Sequence, residues 1–274
     1  MTSILKFPSV FFAIVVVATG ATLTNPSLSQ TLASHRATYA MNLVSALPKS
    51  GIVGVTGVFL VERIPECKGV TLRQAVQLTL RVEGGAAVST RFAATVWESH
   101  DATSMTFSTV NEVAGDVVEV FTGIAALSGP GFGGRVDYTE PTTSTMALPS
   151  GVLFPIALSR AVLAAAEAGT RLLDLVSFDG GGENTLTAVS VFISAEFAAG
   201  EETPPNGADL LADQRSWHTR YAHYKIASQA PEPIFEVGYR LFENGVITDL
   251  ILDYGNFQVS GTLEDIEEIS PPAC

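Results

Sequence analysis

From His35 onward the sequence alternates between apolar and polar residues. Across residues 35–43 Ala37, Tyr39, Met41 and Leu43 fall on one side and mostly polar residues on the other. That two-residue period describes a β-strand with one dry face. The same period sets Val76, Leu78, Leu80 and Val82 together within 74–83, and it returns in 52–63, 89–98, 104–111 and 116–125. It resumes in 171–178, 185–195, 217–226, 235–243, 246–254 and 257–266. Gly84-Gly85, Ala114-Gly115, Asp179-Gly180-Gly181-Gly182 and Asn244-Gly245 separate the runs as turns. Asn244-Gly245 between two alternating stretches is the strongest hairpin signal in the chain.

One stretch has a different period. Between Ile156 and Gly169, leucines and valine recur at helical spacing; Pro155 suits the first turn and Gly169 the end. The pattern predicts a dozen or more strands and one helix. The glycine-rich 129–134, the Thr/Ser run near Thr142 and residues 201–207 read as low-complexity loops. Many strands at short spacing predict a closed or spiralled barrel, or a sandwich, because exposed sheet edges invite aggregation. No repeat and no long linker divides the chain, so 35–274 reads as a single domain.

The residues before this pattern read as an address. Lys6 is the sole charge before His35, Phe7 to Ala18 is apolar, and small and polar residues follow. That order predicts a secretory signal peptide over residues 1–29, cleaved after Ala21 or Ser29. The apolar run is shorter than the roughly 18 residues a membrane-spanning helix needs. The expected product is an exported, soluble protein without a transmembrane segment. A formal net charge of −13 with no basic cluster argues against nucleic acid as a partner.

Cys67 and Cys274 are the only cysteines. In an oxidising compartment such a pair reads as a disulfide. Neither has the CxxC or neighbouring histidines of a metal site. Of the four histidines, His218 and His223 lie five apart on one predicted strand and so on opposite faces, while His35 and His100 stand alone. No metal site or cofactor is expected. GxSxG and SxxK are absent. The glycines around Gly131 lack the βαβ setting of a phosphate loop. The carboxylates that could form a glycosidase-like pair are Asp249, Asp253 and Glu98, and those of the acidic run Glu264, Asp265, Glu267 and Glu268. Sequence brings none of them into a cleft, so no catalytic residue is assigned. Trp97 and Trp217 fit core packing and a cavity wall equally well.

Several spaced stretches are shared with a known family. They are His35-Arg36-Ala37-x-Tyr39, Trp97-Glu98-Ser99, Leu148-Pro149-Ser150-Gly151-x-Leu153-Phe154-Pro155, Phe178-Asp179-Gly180, and residues 233–274. On these the chain resembles the EipB-like cell envelope integrity family of alphaproteobacteria, across essentially all of the mature sequence. Both cysteines sit where that family carries its bridge. The resemblance implies a periplasmic, all-β protein in which a long antiparallel sheet spirals into an open barrel, with one helix. It further implies a non-catalytic role in envelope integrity and stress resistance, with a lipid or lipoprotein ligand or a periplasmic protein partner. The other readings are a periplasmic hydrolase of glycan or lipid, and a scaffold that docks a partner.

The bridge generates a test. A loop this long is worth about 5 kcal/mol as a ceiling. Reduction, replacement of either cysteine, and removal of Pro272–Cys274 are expected to lower the melting temperature to the same degree without abolishing export. Unchanged melting on reduction contradicts the bridge.

Overall fold

A computed structural model of the chain describes residues 32–181, 185–200, 209–226 and 232–274; the predicted signal peptide lies outside them. The first half contains β1 (His35–Ala46), β2 (Ile52–Pro65), β3 (Gly69–Val82), β4 (Val88–Ser99), β5 (Ser104–Val113) and β6 (Asp116–Leu127). Three short strands follow, β7 (Gly134–Glu140), β8 (Ser144–Leu148) and β9 (Val152–Leu153), then the helix α1 (Pro155–Glu167). The second half contains β10 (Leu172–Phe178), β11 (Leu186–Phe197), β12 (Ser216–Lys225), β13 (Phe235–Phe242), β14 (Ile247–Asp253) and β15 (Phe257–Glu268).

All fifteen strands join in one sheet, ordered β8-β7-β6-β5-β4-β3-β2-β1-β15-β14-β13-β12-β11-β10-β9. Every pairing is antiparallel except β9 with β10. A parallel pair needs a crossover of a dozen or so residues, usually a helix, and α1 supplies it. The sheet curls into a nearly closed barrel. Its two wings meet in a core in which Met105, Phe107 and Val136 face Val152, Phe154 and Phe178. Phe107 and Phe178 pack edge to face at 5.5 Å. Beside them, Thr109 Oγ1 donates to the Gly180 carbonyl at 3.3 Å.

The alternation read from sequence is the one the strands use. Ala37, Tyr39 and Met41 point into the barrel and are fully buried. At the predicted hairpin, Gly245 takes a left-handed φ of 78° between β13 and β14. Three strands differ from the sequence reading: the two-residue β9, and β7 and β8, which lie beside the glycine run and the Thr/Ser stretch that read as loops. β7 and β8 are short and sit at one edge of the sheet, with Val136 and Leu148 as their fully buried residues, too few to set a period.

Curvature has a local cause. One row across five neighbouring strands reads Leu78, Gly57, Met41, Gly261, Leu250. Large and small residues alternate, so the side chains of Leu78, Met41 and Leu250 lean over bare backbone, and Met41 keeps 1% of its surface exposed. A methyl group on Gly57 would stand 2.1 Å from the Gln77 carbonyl oxygen and 2.8 Å from Leu78 Cδ2. Backbone cannot yield to it. Gly57→Ala is expected to remove about 1–3 kcal/mol of stability by overpacking, read as a lower urea midpoint; an unchanged midpoint contradicts this account.

Candidate functional site

Helix α1 lies against the inner face of the sheet. Its Ile156, Val162, Leu163 and Ala166 pack on Val191, Ile193, Trp217 and Leu241 of β11, β12 and β13. The helix leaves part of the barrel interior unfilled, and the remaining cavity measures about 380 Å³, within the range of small-molecule sites. One wall consists of Phe59 on β2, Leu72 and Val76 on β3, and Phe92, Ala94 and Val96 on β4. Val237 on β13 and Ile247, Leu250 and Leu252 on β14 supply another, and Pro155, Leu158 and Ser159 of α1 a third. The period of two explains the composition: each strand contributes only its inward residues.

Few polar groups interrupt this surface. Asp179 and His223 are the titratable acid and base among the lining residues. Asp179 Oδ1 accepts hydrogen bonds from the Gly181 N–H at 2.7 Å and the Thr185 hydroxyl at 2.8 Å. Asp179 keeps part of its surface exposed, yet the surrounding protein strips water from its carboxylate and raises its pKa above the ordinary value, against the pull of those bonds and of His223. His223 Nδ1 lies 3.2 Å from Thr187 Oγ1, and burial lowers its pKa. Gln74, Ser177 and Tyr239 add hydrogen-bonding groups.

A groove of about 430 Å³ adjoins the cavity where β1 ends, β13 begins and β14 turns into β15. Phe235 and Tyr254 line both spaces. Their rings are 5.6 Å apart, and Tyr254 stacks on Phe257 at 4.8 Å.

Glu98 performs a different task. Its carboxylate accepts from the Ile156 N–H at 2.7 Å and the Ala157 N–H at 2.9 Å, capping the free amides of the first turn of α1 from β4 across the barrel. A negative group at a helix N-terminus is favourable. Burial nevertheless pushes its pKa up to about 7, while the two amides and Arg160 pull it down. The other carboxylates weighed from sequence do not join it. Asp249 is exposed at a bulge with φ 51°. Asp253 pairs with Arg220 at 3.5 Å, and Glu264, Asp265, Glu267 and Glu268 are exposed.

The remaining candidates separate likewise. His218 faces outward against Phe197, on the opposite face from His223. His100 is exposed. His35 is buried, and burial together with nearby Arg63 lowers its pKa to about 4. Among the described residues no group of three or more His, Cys, Asp or Glu is placed to hold a metal. Trp217 is core and Trp97 packs over Gly69; neither lines the cavity. Cys67 and Cys274 form a disulfide across 207 residues of sequence.

The family model described as EipB-like matches residues 27–270. The chain belongs to the EipB-like family. A relative, the cell envelope integrity protein EipB of Brucella abortus (strain 2308), is 26% identical over 241 residues, covering 86% of this chain and 84% of that protein. A crystal structure of a β-barrel-like protein, a domain of unknown function from Brucella abortus, shares the fold with a TM-score of 0.80. It is 24% identical and covers 88% of this chain and all of that one. In this EipB-like chain Trp97-Glu98-Ser99 and Leu153-Phe154-Pro155, far apart in sequence, meet through the Glu98 cap.

That cap gives a pH signature. Glu98 is an acid whose folded-state pKa, about 7, exceeds its ordinary value of 4.5. The folded chain therefore holds the extra proton between those values, and this contribution to stability is full below pH 4.5 and lost as pH rises through 7. Glu98→Gln keeps an acceptor but cannot ionise. Between pH 4.5 and 7 its stability is expected to gain on the parent by up to about 3 kcal/mol. Chemical denaturation of both proteins across that range measures it; parallel pH profiles contradict it.

Proposed function

We propose that this protein is a non-catalytic factor of the cell envelope, exported to the periplasm, whose barrel interior holds the apolar part of a lipid or lipoprotein. The interior cavity carries the reading: its walls are aliphatic and aromatic, and a folded sheet would close such a space if packing alone governed it. The role in envelope integrity is taken from the related protein of Brucella abortus. Export is the expectation drawn from residues 1–29, and the disulfide suits an oxidising compartment.

Mass spectrometry of small molecules that accompany the protein purified from its native compartment tests the proposal directly. A stoichiometric lipid supports it. Independently, Ala94→Phe fills the cavity from β4, and it is expected to weaken binding of a neutral apolar fluorophore such as N-phenyl-1-naphthylamine at least tenfold while leaving far-UV circular dichroism unchanged. Binding at full strength in this variant sinks the interior-site reading. It then turns the search to the outer surface, with cross-linking to a periplasmic protein partner as the next measurement.

A further inference from the structure

The groove and the cavity share Phe235 and Tyr254, which makes that aromatic pair the partition between solvent and the barrel interior. Tyr254 retains 40% of its surface exposed, and the pair is held by ring contacts rather than by any hydrogen bond of the Tyr254 hydroxyl among the described residues. Nearby Leu47 and Ile234 present apolar surface to solvent. An apolar chain passing between these rings would have its polar head in the groove, because burying a head group without partners is costly.

Charges at this opening have one predominant sign. Glu232, Glu236 and Asp253 line the groove. Arg220 is the cation beside them, bound to Glu236 at 2.8 Å and within 3.5 Å of Asp253. Inside the partition stands Asp179, with His223 as its neighbour. No lysine or arginine lines either space among the described residues. The buried cation Arg63 donates to the carbonyls of Ala33 and Gly245. Gly245 lies in the turn before β14, whereas the groove lies at the turn after it. The seven residues of β14 separate the two turns by roughly 20 Å. Arg160 lies close enough to Glu98 to favour its charged form, and it is not among the residues that line the cavity.

We propose that the groove is the mouth of the cavity, and that the site takes amphiphiles tail-first whose heads carry no net negative charge, such as a hydroxyl, amide or ammonium, and disfavours carboxylate and phosphate monoester heads. The proposal rests on the interior-binding reading above and adds the class of ligand to it. A carboxylate head would sit among three carboxylates and one already paired guanidinium, partly removed from water, where like charges repel most strongly. An ammonium or hydroxyl donor meets acceptors there instead.

Displacement of N-phenyl-1-naphthylamine at pH 7 by three twelve-carbon chains provides the test: 1-dodecanol below its solubility limit, and dodecylammonium and dodecanoate below their critical micelle concentrations. Dodecanol and dodecylammonium are expected to displace the probe at concentrations at least about tenfold lower than dodecanoate, a difference of about 1.4 kcal/mol. Glu232→Lys, a change at the open mouth, is expected to narrow that gap severalfold. Dodecanoate displacing as well as the other two, or a gap that Glu232→Lys leaves untouched, overturns the head-group assignment while the cavity reading stands. Failure of the probe and of all three chains to bind overturns both.

Discussion

The antiparallel pairing of β1 with β15 organises this molecule. It joins residues more than 200 positions apart, from His35 with Glu268 to Ala46 with Phe257, and places the first and last strands of the chain at the middle of a fifteen-stranded sheet. From that middle the two wings grow outward, β2 to β8 by antiparallel neighbours on one side, and β14 to β10 likewise on the other, with β9 added in parallel through the α1 crossover. Because β8 and β9 are separated only by residues 149–151, the two free edges of the sheet are neighbours in the chain. The edges are therefore drawn together, and the sheet curls over an interior instead of lying open. Helix α1, the cavity and the buried seam around Phe107 and Phe178 all follow from that geometry.

Much of this organisation was legible because antiparallel hairpins write themselves locally. A strand with one dry face must alternate, and a two-residue turn such as Asn244-Gly245 must contain residues that tolerate positive φ. The helix was equally plain from Pro155, its apolar spacing and Gly169. β7, β8 and β9 were hidden because short strands at or beside a sheet edge, each with a single fully buried residue, leave no period to detect. The family resemblance, carried by stretches such as Trp97-Glu98-Ser99, indicated the barrel form that alternation alone left open between barrel and sandwich.

The candidate site was far less visible, and for a physical reason. A cavity wall and a packed core require the same residue types at the same inward positions. Phe59, Phe92 and Leu250 each look like ordinary core residues on their own strands, and only closure of the sheet decides that the space between them stays unfilled. Glu98 attracted notice as a carboxylate, but its partners are helix amides 58 and 59 residues away, a relation no local pattern encodes. Asp179 and His223 likewise meet only because β10 and β12 flank β11. Sequence parity did place His223 opposite His218, and the structure adds that the inward side of that strand is a cavity.

The β1–β15 pairing also sets a kinetic order. Hairpins within each wing close small loops and can form early, whereas the central pair must bring together segments at the two ends of the strand order, with a far larger loss of chain entropy. Until it forms, each wing is a curved half-sheet whose inner strand edge, β1 or β15, is unpaired and whose apolar face is open to water. The slow step in assembly is therefore the step that hides the aggregation-prone surface. A chain built this way is most exposed to aggregation and proteolysis before its two wings have joined.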